Sequence, residues 1–106
     1  MKKLDQLKKD FKQQMQKLYG SNLYRVLLFG SYARGDFEED SDIDFMVVLN
    51  EEKVSPFKEV FKISKMNSDL NITYGNLISV FPTSKNKYLN YESKFYQSVR
   101  EEGIIL

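Results

Sequence analysis

Two aspartates, Asp42 and Asp44, stand one residue apart where an acidic stretch gives way to the apolar run FMVVL. Strand alternation places both carboxylates on one face and Ile43 on the other. Like charges held that close repel, and burial raises a carboxyl pKa, so the pair calls for a cation. Magnesium fits: it takes hard oxygen ligands, uses one or two carboxylates, and completes its octahedron with water and phosphate oxygens. Upstream, Gly30 and Ser31 follow a second apolar run, LYRVLLF. A Gly-Ser turn opening a helix offers backbone N–H groups and the positive end of the helix dipole to an anion. Gly30 permits close approach, Ser31 adds a hydroxyl donor, and Arg34 brings a permanent cation one turn on. An anion cradle and a magnesium pair on adjacent strand ends together suit a metal-bound triphosphate. The acids between them, Asp36, Glu38, Glu39 and Asp40, read as a solvated connector.

Positioning these groups requires a sheet. Leu4, Leu7, Phe11, Met15 and Leu18 recur every three or four residues, which predicts an amphipathic first helix with a Lys-rich outer face, ended at Gly20. Strands are expected at 23–29, 42–50 and 71–81, the last stopped by Pro82. Between the second and third, Ser55 suits an N-cap and Pro56 a first helical position, with Phe57, Val60, Phe61 and Ser64 on one face. The end of the chain predicts a helix capped by Ser93 and stopped at Gly103, with IIL returning as a short strand. These elements make an α/β (α+β) fold, a small mixed sheet with helices packed against it, expected to be one domain over residues 1–106.

Composition narrows the chemistry. With no cysteine and no histidine, disulfides, thiolate zinc sites, Cys nucleophiles and Ser-His pairs are excluded. The net charge of +1 hides a segregation: residues 1–19 carry six Lys against two Asp, whereas residues 36–44 carry six acids and no base. The lysines lack interleaved aromatics, so a nucleic-acid-binding surface is not expected of the first helix. No apolar run approaches a membrane span and the Lys-rich start has no apolar centre, so no membrane association is expected and the cytoplasm is the expected compartment.

The stretch GSYARGDFEEDSDID resembles the signature of the minimal nucleotidyltransferases of the DNA polymerase beta superfamily. The match comprises Gly30, Ser31, Asp42 and Asp44, with Ala33, Arg34, Gly35, Ser41 and Ile43 as accessory matches. It implies the nucleotidyltransferase fold, with Gly-Ser on the phosphates and the Asp pair holding one or two Mg2+ ions. The implied reaction moves a nucleoside monophosphate from a nucleoside triphosphate, ATP by expectation, to a protein or RNA hydroxyl with release of pyrophosphate. The resemblance also implies action as an antitoxin beside a HEPN-type helical protein. Acceptor recognition is expected to fall to such a partner or to a homodimer face.

The family adds a third carboxylate from a neighbouring strand. The matching segment here is NLISVF, which aligns Ser79 at that position. A serine can hydrogen-bond water but supplies no charge and no base near neutral pH. Asn76 falls on the opposite face of that strand and Asp69 precedes it. Without a replacement, the alternative reading is a catalytically weak or inactive nucleotide-binding or protein-interaction module.

Overall fold

The computed structural model describes residues 2–75 and 77–106, so Asn76 lies outside the described residues. Helix α1 (Lys2–Tyr19) leads through a 3-10 turn at Gly20–Asn22 into β1 (Leu23–Phe29). A single helical turn, α2 (Ser31–Arg34), precedes β2 (Ile43–Leu49), and α3 (Pro56–Tyr74) crosses over to β3 (Ile78–Ser84). Helices α4 (Lys85–Asn90) and α5 (Lys94–Glu102) and the two-residue β4 (Ile104–Ile105) complete the order. The four-stranded sheet runs β3-β2-β1-β4, with β1 antiparallel to β2 and β4, and β2 parallel to β3.

Both inner strands are covered on both faces, as their near-continuous apolar runs require. On one face Ile43, Phe45, Val47 and Leu49 of β2 meet Leu7, Phe11 and Met15 of α1 and Ile63 and Leu70 of α3. Phe11 and Phe45 stack there, fully buried, with ring centroids 4.1 Å apart. On the other, Leu27, Met46 and Val48 pack with Tyr88 of α4 and with Tyr96 and Val99 of α5. The predicted Ser93 cap forms, its hydroxyl accepting the Tyr96 N–H, and IIL returns to β1 with Ile104 and Ile105 opposite Leu28 and Leu27.

Three local expectations change. Pro82 does not stop the third strand; it pairs in register with Val47 inside β3, which is an edge strand where a missing N–H is tolerated. The strand also starts later than 71, because α3 continues to Tyr74, and Ser84 caps an additional helix, α4, by accepting the Lys87 N–H. Finally, Phe57, Phe61 and Ser64 share a face of α3, but it is the solvent face; the buried side carries Glu59, Ile63, Asn67, Leu70 and Tyr74. Two polar ties fix that rotation. The Tyr19 hydroxyl donates to buried Glu59 at 3.0 Å, and the Tyr74 hydroxyl donates to Asp10 at 2.6 Å. Among the described residues no helix is long and apolar enough to cross a membrane.

These opposite environments separate two phenylalanines. Phe11→Ala should lower unfolding free energy by about 3–5 kcal/mol, whereas Phe57→Ala should change it by no more than about 0.5 kcal/mol. Urea denaturation followed by circular dichroism reads both, and equal losses would contradict the assigned face of α3.

Candidate active site

The backbone places the two halves of the sequence motif side by side. Phe29, the last residue of β1, is directly opposite Asp44, and Asp44 is directly opposite Ser79 of β3. Asp44 therefore sits at the centre of a row that crosses three strands at one end of the sheet. Ile43 points into the α1/α3 core, so alternation turns Asp44 toward the face that carries α4 and α5. Asp42 precedes β2 by one residue and is exposed, while Asp44 is half-buried.

Gly30 makes the turn between β1 and α2, with φ of 75° and ψ of −153°. An L side chain rarely adopts that φ, and space forbids one as well: a Cβ at this position would lie 2.5 Å from Asp44 Oδ2. The glycine thus lets a carboxylate rest against bare backbone. Its own carbonyl accepts the N–H groups of Ala33 and Arg34, which closes the single turn of α2 immediately after Ser31.

Electrostatics at this corner is unbalanced. The Asp44 carboxylate makes no hydrogen bond or ion pair among the described residues. Burial pushes its carboxyl above the usual carboxylate range, the negative Asp42 pushes it further, and Arg34 opposes both. Asp42 accepts a hydrogen bond from Ser79 Oγ at 3.4 Å. Arg34 is engaged by two carboxylates, Asp36 Oδ2 at 3.1 Å from Nε and Glu102 Oε2 at 3.6 Å from a terminal guanidinium nitrogen. This donor set suits a hard cation: two carboxylates, one partly desolvated and unpaired, beside a backbone cradle that a side chain would fill. Among the described residues no third acid, histidine or cysteine joins them in a cluster able to hold a metal.

The sequence-derived site residues Gly30, Ser31, Arg34, Asp42, Asp44 and Ser79 thus gather at one corner, with Ser79 at the strand position expected for a third acid. Asp69 does not join them; it is exposed on α3. Asp36, Glu38, Glu39 and Asp40 are exposed, as expected of a connector, although Ser41 organises its end by accepting the Glu38 N–H at 2.8 Å. A cleft of about 300 Å³ opens beside the corner, lined by Phe29, Gly30, Arg34, Lys94, Phe95 and Ser98. Lys94 of α5 thus lines this cleft, whereas Lys85 lies over Tyr24 and Lys87 over Tyr91. Nothing in the local sequence marks Phe95, Ser98 or Glu102 as neighbours of Gly30; only the packing of α5 across the sheet brings them there. A larger cavity of about 600 Å³, lined by Leu4, Leu7, Tyr32, Ile43 and Tyr74 among others, belongs to the α1/α3 side and does not include the aspartates.

The nucleotidyltransferase domain family matches residues 4–102. The chain belongs to that family. It is 40% identical over 96 residues to MJ0141 of Methanocaldococcus jannaschii, covering 91% of each chain, and that protein is named as a candidate protein adenylyltransferase. A second protein of that organism named in the same way, MJ0604, is 34% identical over 101 residues, covering 92% of each chain. Among solved structures, the fold resembles a toxin–antitoxin protein crystallised with AMP-PNP, with TM-score 0.62, 17% identity, and coverage of 91% of this chain and 69% of the other. It also resembles a chain of a MntA–HpeT toxin–antitoxin variant, with TM-score 0.59, 19% identity, and coverage of 92% and 70%. The sheet with its flanking helices is thus a nucleotidyltransferase fold, and nucleotidyl transfer is the reaction class of the family.

Because the Asp44 carboxyl is raised in the folded protein, the folded state holds its proton more tightly than the unfolded chain does. The resulting stability is present at low pH and is lost as pH rises through the folded pKa. Asp44→Asn should therefore match the parent in acid and melt at a higher temperature at neutral pH without divalent metal. A variant less stable than the parent at pH 7 would contradict an uncompensated carboxylate. Gly30→Ala should cost about 1–3 kcal/mol from the positive φ alone, read by the same melts.

Proposed function

We propose that the protein is a magnesium-dependent nucleotidyltransferase that moves a nucleoside monophosphate, AMP by preference, from its triphosphate to a hydroxyl of a protein. The observation that carries this reading is the Asp44 carboxylate lying against Gly30 at the turn into α2, with no hydrogen bond or ion pair among the described residues. Gly30, Ser31 and Arg34 hold the phosphates in this reading, and residues 1–106 act as a single nucleotidyltransferase-like domain. Magnesium bound by Asp42 and Asp44 would neutralise the triphosphate and the departing pyrophosphate. The chain's own part is positioning: the acceptor hydroxyl oxygen bonds to the α-phosphorus while the bond to pyrophosphate breaks, in line, and the hydroxyl proton passes to solvent water. Swinging Arg34 from Asp36 and Glu102 to a phosphate keeps its charge paired with an anion throughout.

Adenine is favoured because the relatives are named for adenylyl transfer and a structural neighbour was crystallised with AMP-PNP. A protein acceptor follows from the same names, with RNA as the other hydroxyl source. The toxin–antitoxin neighbours favour work beside a partner protein, for which a HEPN-type helical protein is our assignment, in the cytoplasm.

A second reading has a specific observation behind it. Ser79 occupies the position directly opposite Asp44 and bonds Asp42, so the corner has a hydroxyl where a third carboxylate would add charge and basicity. On this reading the protein binds magnesium and triphosphate but transfers slowly or not at all.

The two separate in one set of measurements. Magnesium and ATP together should raise the melting temperature of the parent and not of the Asp42→Ala, Asp44→Ala variant. Labelled ATP and the helical partner should then give a labelled product with the parent alone. A metal-dependent thermal shift without product selects the binding module, and Ser79→Asp should in that case restore transfer. Absence of both shift and product refutes the proposal.

A further inference from the structure

We infer that the outward face of α3 is a docking surface for an acidic amphipathic helix of a partner protein. Phe57, Phe61 and Ile72 are 91%, 66% and 81% exposed. Their spacings of four and eleven residues put them along one stripe of the helix, roughly 22 Å long. Single exposed apolar residues are ordinary on a surface, but a row of three large ones marks a contact area. The stripe is not a core face that rolled outward, because the Tyr19–Glu59 and Tyr74–Asp10 hydrogen bonds pin α3 near both of its ends.

Charge identifies the occupant. Lys58, Lys62 and Lys65 line one edge of the stripe, against a single exposed acid, Asp69. Lys62 reaches Glu59 at 3.5 Å, whereas Lys58 and Lys65 make no ion pair among the described residues. Lys65 Nζ lies 5.0 Å from the centre of the Phe61 ring, so apolar surface and positive charge are contiguous. A helix that buries Leu-type anchors on the phenylalanines and isoleucine, with carboxylates along one flank, satisfies both. A second copy fits poorly: antiparallel pairing across a two-fold axis at the middle of α3 would bring Lys62 and Lys65 of both copies together. Polynucleotide would pair with the lysines and stack on the phenylalanines, but it leaves Ile72 without a use. The inference rests on the partner-protein part of the reading above and is independent of its catalytic part.

The test uses the full chain and two labelled helical peptides of about 18 residues, alike in their Leu stripe and carrying Glu or Lys along its edge, with a single-stranded oligonucleotide as third probe. Fluorescence anisotropy should show the Glu peptide binding at least about tenfold more tightly than the Lys peptide, a difference that salt diminishes. Phe57→Ser with Phe61→Ser should weaken the Glu peptide by about tenfold or more, and Lys58→Glu with Lys65→Glu should reverse the preference. Both variants should keep the parent's circular dichroism and its response to magnesium and ATP. Equal binding of the two peptides, no peptide binding, preference for the oligonucleotide, or a sedimenting dimer dissolved by the Phe pair would each overturn the inference. Failure here with an intact magnesium–ATP thermal shift leaves the catalytic reading standing; peptide binding without that shift does the reverse.

Discussion

The arrangement turns on one uncompensated charge. Asp44 is half-buried beside the negative Asp42, and among the described residues Arg34 offsets it without an ion pair. A folded domain ordinarily removes such a group or pairs it, because desolvating a carboxylate is costly. Here the neighbouring residue is a glycine whose missing side chain makes room for the carboxylate. The candidate site is therefore built around a destabilising element, and the rest of the fold holds it in place.

That support comes from the sheet. Asp44 lies in the central pair of strands, between Phe29 and Ser79, and the residue before it and the residue after it, Ile43 and Phe45, are anchored in the α1/α3 core. The stack of Phe11 on Phe45 sits beneath the site-bearing strand, and Met46 and Val48 anchor its other side against α4 and α5. With both faces buried, β2 has no register freedom, since a slip of one residue would turn Asp44 into an apolar core. Stability and site geometry are one requirement at this strand.

The outer face of α3 shows a different use of the same fold. Its inner side carries two polar anchors as well as Ile63 and Leu70, so burial here is partly polar, while phenylalanines face water. Hydrophobic periodicity alone places Phe57 and Phe61 together but cannot say which side of the helix meets the sheet, because Glu59 and Asn67 look like surface residues until Tyr19 and the α1 interface are in place. The edge position of β3 is hidden for a similar reason. Pro82 reads as a strand terminator, and it is acceptable because, among the described residues, no further strand pairs beyond β3.

The sequence by itself determined the first two strands to the residue or nearly so, the caps at Ser93 and Gly103, and the Gly30, Ser31, Asp42, Asp44 constellation. These signals are local: apolar runs, turn residues and short spacings carry their own physical reasons. The resemblance aligned Ser79 with this corner, but tertiary structure decided that it pairs in register with Asp44, that Arg34 is shared between Asp36 and Glu102, and that α5 brings Lys94 and Phe95 to Gly30. Each of these depends on residues far apart in the chain meeting across a parallel crossover or a packed helix. No local spacing encodes such a meeting, because it is fixed by which faces the whole core leaves available.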